Sequence, residues 1–341
     1  MTDGAENKAP DERPGAVERF IIEDNDIVIE LAGPQDRNLA LLEDLTGARI
    51  DPRGNEIALS GPAGALTRAH GALLALFERA RAGLPIEEVD VRAAAAGRAA
   101  TATTALDQGK QSGRDSGARI IKTPKRAIAP RNAAQSAYLD ALTRADLAFG
   151  VGPAGTGKTY LAVAHAVELL LSGAVERVVL SRPAIEAGER IGFLPGDMKE
   201  KIDPYLRPLY DALHDMLHTD YVERRIAAGD IEIAPLAFMR GRTLSRAAVI
   251  LDEAQNATVA QTKMFLTRLG EGARMVLTGD PSQTDLPAGE TSGLADALQL
   301  LEGVDRVTVS HFTKADVVRH PLVARILEKY EARDAKGDAR R

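Results

Sequence analysis

The chain contains no cysteine, so it forms no disulfide and offers no thiolate to a metal. That absence fits a reducing compartment, and a cytoplasmic location is expected. Tryptophan is also missing and aromatic residues make up only 4%, which argues against an extensive base-stacking surface. Long apolar runs are lacking: Leu161 to Leu171 is the longest, is broken by His165 and Glu168, and is too short to span a bilayer. Met1 to Glu18 are polar and acidic without an apolar stretch, so no signal peptide and no membrane partner are expected. Positive charge is in deficit, with 43 Lys and Arg against 49 Asp and Glu and a net charge of -6. A uniformly basic nucleic-acid binder is thereby excluded, and any RNA or DNA contact has to come from a local patch.

What is present divides the 341 residues into about two domains, at roughly 150 residues each. Residues 1–17 are rich in Pro, Glu, Asp and Ala and read as a disordered tail. Residues 18–92 read as a small α+β module. Within it Ile27 to Leu31 is expected to be a strand, and Leu39, Leu42 and Leu45 place a helix over Asp36 to Thr46, stopped by Gly47. Short strands follow at Ala48 to Asp51 and Glu56 to Ser60 around a Pro52–Asn55 turn. Pro62 then opens a helix that Gly83 ends. Residues 93–120 have no apolar period and read as a flexible linker.

From 121 to 332 strands and helices alternate, leaving 333–341 as a polar tail. Strands are predicted at Leu147–Val151, Arg177–Ser181, Ile231–Ala234, Ala247–Leu251, Arg274–Leu277 and Arg306–Val309. Their apolar runs are nearly continuous, as in strands buried on both faces. Helices are predicted at Lys158–Leu171, Thr258–Leu269 and Ser292–Leu301, and Pro204 and Pro208 are expected to interrupt a further helix. Such alternation predicts an α/β fold, a parallel sheet with helices on both faces.

Three segments carry chemistry. Gly152-Pro153-Ala154-Gly155-Thr156-Gly157-Lys158-Thr159 fits G-x-x-x-x-G-K-[ST] between an apolar strand and an amphipathic helix. Its backbone N–H groups and the helix N-terminus would cradle the phosphates of ATP. Lys158 would lie on the β- and γ-phosphates, and the Thr159 hydroxyl would ligate Mg²⁺. The apolar run Ala247 to Leu251 ends in Asp252-Glu253, placing Asp252 to hold Mg²⁺ and Glu253 to deprotonate the attacking water. Alone, two carboxylates after a strand are commonly a solvated loop; beside a P-loop the catalytic reading prevails. A third strand runs into Gly279-Asp280-Pro281-Ser282-Gln283, where Gln283 is a candidate γ-phosphate sensor and the bland alternative is a tight turn. Gln135 is a candidate for the adenine edge.

These segments, together with Phe238-Met239-Arg240-Gly241-Arg242-Thr243 and Asp316-Val317-Val318-Arg319-His320-Pro321, resemble the motifs of the PhoH family over about residues 120–330. The resemblance implies a RecA-like P-loop ATPase related to the first domain of superfamily 1 helicases, preceded by a KH-like module. It further implies a short form without a PIN nuclease module, a homo-oligomer of ring type, often hexameric, and an association with a YbeY-type endoribonuclease in RNA metabolism. One departure stands out: in Gly33-Pro34-Gln35-Asp36 the second glycine of a KH phosphate clamp is replaced by Asp36. RNA contact is therefore sought instead in Lys122, Lys125, Arg126 and Arg131, against the alternative of a solvated linker. A ring would let an arginine reach a neighbour's phosphates, and of Arg182, Arg240, Arg242, Arg268 and Arg319 the sequence favours Arg319 and Arg242. The rival reading is a nucleotide-dependent switch or assembly module that remodels a protein partner without acting on RNA. His165 is expected to pack, and His214 with His218 to hold no metal.

Overall fold

A computed structural model describes residues 17–97, 119–183, 198–287 and 289–317, together with isolated positions between 322 and 333. The chain folds as two units, Met1–Ser116 and Gly117–Arg341.

In the first unit the order is β1 (Val17–Ile21), α1 (Asn25–Ala32), α2 (Arg37–Thr46), β2 (Arg49–Arg53), β3 (Glu56–Ser60), α3 (Ala63–Arg81) and α4 (Glu88–Ala95). β3 pairs antiparallel with β1 on one side and β2 on the other. Pro52 fits because β2 is an edge strand, where a missing N–H costs no ladder bond. The expected strand at Ile27–Leu31 is instead helix α1, capped by Asp24, whose carboxylate accepts from the Asp26 N–H at 2.9 Å. Its run of β-branched residues suggests a strand, yet Ile27, Val28, Leu31 and Ala32 pack into the core at helical spacing while Ile29 is 69% exposed. Two boundaries also move. Val17, assigned to the tail, begins β1, and α4 continues to Ala95, past the expected linker boundary.

The second unit contains β4 (Ile121–Lys122), β5 (Ala127–Ile128), α5 (Ala133–Arg144), β6 (Leu147–Val151), α6 (Lys158–Leu171), β7 (Arg177–Arg182), α7 (Met198–Met216), α8 (Thr219–Ala228), β8 (Ile231–Pro235), β9 (Ala247–Leu251), α9 (Val259–Leu266), β10 (Arg274–Gly279), α10 (Gly293–Leu300) and β11 (Val307–His311). Six of these strands form one parallel sheet in the order β11-β6-β10-β9-β7-β8. It has the RecA-like P-loop arrangement expected. Successive strand residues enter opposite cores: Ala148, Val178, Leu180, Ala248, Ile250 and Val276 face α5, α6 and α7, whereas Phe149, Val179, Val249 and Leu277 face α9 and α10. Burial on both faces explains why the four central strands, β6, β7, β9 and β10, read as nearly unbroken apolar runs, whereas the edge strands β8 and β11 are less enclosed. Truncating a side chain as enclosed as Phe149 would cost about 3–5 kcal/mol.

Pro204 and Pro208 do not interrupt their helix; α7 runs through both. Leu206, Leu209, Leu213 and Met216 form a buried stripe at helical spacing, and this packing outweighs the hydrogen bond each proline removes.

Candidate active site

The sheet order decides which segments meet. β10 lies between β6 and β9, so its end falls between the P-loop that follows β6 and the carboxylates that follow β9. The Gly152 N–H donates to the Gly279 carbonyl at 3.0 Å, tying the loop to β10. Two glycines of the loop are sterically required. Gly152 has φ +140°, and a Cβ there would lie 2.3 Å from the Phe312 carbonyl oxygen. Gly157, at φ +85°, is the N-cap of α6, in the left-handed region that L side chains rarely adopt. Inside the loop the Thr156 hydroxyl donates to the Pro153 carbonyl at 3.0 Å, and Lys158 Nζ donates to the same oxygen at 2.9 Å.

At the end of the sheet, Asp252 is 5% exposed, and its Oδ1 accepts from two hydroxyls. Thr159 donates at 2.6 Å and Thr278 at 2.7 Å. Glu253 follows with φ +51°, a left-handed conformation that costs an L-residue about 1–2 kcal/mol. Its carboxylate is held at both oxygens: Arg182 Nη2 is 3.3 Å from Oε1, and Gln255 Nε2 donates to Oε2 at 2.5 Å. Arg182 also donates to the Tyr205 carbonyl of α7 at 3.2 Å, so this guanidinium bridges α7 and Glu253. Gln255 in turn accepts from the Asp280 N–H at 3.1 Å, and Gln283 donates to Asp280 Oδ2 at 2.8 Å. Gln283, Asp280, Gln255 and Glu253 thus form one connected chain.

Two cavities share this rim. One, of about 270 Å³, is lined by Ala154, Gly155, Gly157, Lys158, Gly279 and Gln283. The other, of about 520 Å³, is lined by Arg182, Pro208, Asp211 and Asp215, and both include Thr159, Tyr160, Asp252 and Glu253. Tyr160 donates to Asp215 Oδ2 at 2.5 Å and Arg126 Nη1 donates to the same oxygen at 2.7 Å. Burial tends to raise the Asp215 carboxyl, but the bonds from Tyr160 and Arg126 outweigh it and hold the carboxyl below its usual range. Burial, aided by that bond to Asp215, pushes the Tyr160 hydroxyl well above an ordinary phenol. The donor set fits a nucleotide with a hard divalent cation: a backbone cradle and an ammonium on one side, a carboxylate oxygen and threonine hydroxyls on the other.

The PhoH-like protein family matches residues 127–331. A Bacillus subtilis PhoH-like protein is 49% identical over 307 residues, covering 90% of this chain and 94% of its own. The chain belongs to the PhoH-like protein family. A Mycobacterium tuberculosis PhoH-like protein is 44% identical over 317 residues, covering 92% of this chain and 87% of its own. Protein PhoH of Escherichia coli is 48% identical over 205 residues, covering 60% of this chain and 58% of its own. With the family comes nucleotide binding by the P-loop.

Several expected residues of this PhoH-like chain lie elsewhere than foreseen. Gln135 is 5% exposed and braces the P-loop from behind: its Nε2 donates to the Thr156 carbonyl at 3.0 Å and its Oε1 accepts from the Arg131 N–H at 2.7 Å. It does not line either cavity, because α5 carries it beneath the loop. Arg242, expected to reach a neighbour's phosphates, makes a two-pronged contact with Glu232, both bonds 2.6 Å, and this pairing holds its guanidinium above the usual range. Arg268 is likewise turned inward, donating to the Arg242 carbonyl at 2.9 Å. Arg319 lies outside the described residues. Of the basic segment, Lys125 donates to the His214 carbonyl and Arg126 to Asp215, so both are engaged with α7. His165 packs as expected, near Glu168, and no metal-holding cluster of His, Cys, Asp and Glu exists among the described residues. Nor, among them, is any helix long and apolar enough to cross a membrane. Thr278, Arg182 and Gln255 are the residues sequence reasoning missed or passed over. Thr278 and Arg182 are hinted at only by their positions at strand ends, and Gln255 only by its place in the turn just after the carboxylates.

Proposed function

We propose that this PhoH-like protein is an Mg²⁺-dependent ATP hydrolase acting in RNA metabolism. The observation that carries the reading is the convergence of Thr159 and Thr278 on Asp252 Oδ1, with Glu253 beside it at the mouth of the P-loop. Thr159 and Asp252 would hold Mg²⁺, which when bound neutralises charge on the phosphates. Lys158 leaves the Pro153 carbonyl for the β- and γ-phosphates. Glu253 accepts the proton of the attacking water, while Arg182 and Gln255 fix its orientation by holding one oxygen each. Gln283 reads the γ-phosphate and is linked to Glu253 through Asp280 and Gln255.

The resemblance to the PhoH family supports RNA as the substrate class, a hexameric ring as the assembly and a YbeY-type endoribonuclease as a partner. One observation favours a second reading, a nucleotide-dependent switch that remodels a protein partner: Lys125 and Arg126 are engaged within the chain and not presented to phosphate. ATP turnover of the purified protein with and without single-stranded RNA separates the two. Stimulation by RNA is expected, and a rate indifferent to RNA at any concentration favours the protein-remodelling reading.

A further inference from the structure

Among the described residues one phenylalanine is exposed. Phe238 is 60% exposed and sits in a 3₁₀ turn, Leu236–Met239, directly after β8. A lone exposed apolar side chain is ordinary. Phe238 differs in how it is presented, where it lies and what charge surrounds it.

The presentation is rigid. Leu236 and Met239, on either side of Phe238, are buried in the core that also holds Phe265 of α9. Beyond the turn, Arg242 is clamped to Glu232 and Arg268 donates to the Arg242 carbonyl. Between these anchors Phe238, Arg240 and Gly241 face solvent. The location is the nucleotide-binding edge of the sheet. Pro235, at the end of β8, is the register partner of Arg182, so the turn starts at the level of the guanidinium that touches Glu253.

Charge decides what the surface suits. In a chain of net charge -6, residues 236–246 and 257–270 contain Arg240, Arg242, Arg246, Lys263 and Arg268 and no carboxylate. α9, which carries Lys263, packs against the 3₁₀ turn. Arg242 pairs with Glu232 and Arg246 with Glu176, whereas among the described residues no carboxylate pairs with Arg240, Lys263 or Arg268. An aromatic face fixed among unneutralised cations is the combination that stacks a base and holds the adjoining phosphates.

We infer that Phe238 and Arg240, with Lys263 of α9, form a binding surface for single-stranded RNA at the rim of the nucleotide site. This rests on the RNA reading above and replaces the segment from Lys122 to Arg131 as its location. The stacking part is independent of salt; the phosphate part is not. Each cation that meets a phosphate adds about 0.7 to the slope of log affinity against log salt for a single strand.

The test is fluorescence anisotropy of a labelled oligouridylate over a salt series, with a duplex of the same length as comparison. It uses the full chain as wild type, Phe238→Ala, Phe238→Tyr and the double variant Arg240→Ala/Lys263→Ala. Phe238→Ala is expected to weaken single-strand binding about tenfold or more at every salt concentration with the slope unchanged. Phe238→Tyr should bind as wild type. The double variant should lower the slope by about 1.4. ATP affinity, unchanged in all variants, reports that the fold is intact. If wild type binds the oligonucleotide and Phe238→Ala and the double variant bind it equally well, this surface is refuted while the RNA reading stands. If wild type binds neither single strand nor duplex, both fail, and the surface belongs to a protein contact.

Discussion

In the first unit each buried polar side chain among the described residues is answered by a neighbour and serves the fold. Thr46 returns its hydroxyl to the Leu42 carbonyl at 2.7 Å, Asn38 reaches the Glu30 carbonyl, and Asp90 caps α4 through the Glu87 N–H at 3.0 Å while facing Arg79 at 3.4 Å. In the second unit some buried polar groups also serve packing, such as His165, but Lys158, Asp252, Gln255, Thr278 and Asp280 come from the segments at three separate strand ends and converge on one rim. Left-handed non-glycine backbone is not by itself a mark of the site, since Arg246 and Arg306 of the second unit adopt it in the turns before β9 and β11. Gln35 and Asp36 merely turn the chain between two helices, whereas Glu253 aims a carboxylate into a cavity. Buried polarity marks function only where segments distant in sequence supply it to a common opening.

The contrast is sharpest at Lys158. Lys158→Ala should abolish tight ATP binding, because phosphate charge is left unmatched; calorimetry showing wild-type affinity would remove the P-loop from the account. Arg182 tests whether convergence includes positioning. Arg182→Ala should lower kcat about tenfold to a hundredfold with little change in KM, and Arg182→Lys should recover part of it. A rise in KM at constant kcat would make Arg182 a nucleotide contact instead. At the other extreme, Asp90→Ala removes a cap and an ion-pair partner within the first unit. It should destabilise that unit by about 1–3 kcal/mol in thermal unfolding while ATP turnover stays at the wild-type rate. Loss of turnover would mean the two units do not differ in the way described.

Much of this was legible in the residues. The four central sheet strands, β6, β7, β9 and β10, announce themselves because burial on both faces forbids polar interruption, and the P-loop because phosphate binding demands glycine at fixed spacing. Ile27 to Leu31 misleads because β-branched residues in a short helix imitate a strand; only the pairing of positions 27 and 28 with 31 and 32 betrays the period. Thr278 and Arg182 were obscure for another reason. Their roles follow from β10 lying between β6 and β9, and β7 beside β9, which is sheet order and not local pattern. The pairing of Arg242 was not legible because its partner Glu232 sits on β8, ten residues away across a turn.

The central claim is that Glu253 acts on water at a site where Asp252, Thr159 and Thr278 gather a metal and a nucleotide. Phosphate release from ATP by Glu253→Gln, with Mg²⁺ and with ATP binding measured in parallel, tests it most directly. Turnover should fall about a hundredfold or more while ATP affinity is retained, since the shape is kept and the base removed. Turnover equal to wild type would contradict the account and place the base on another residue.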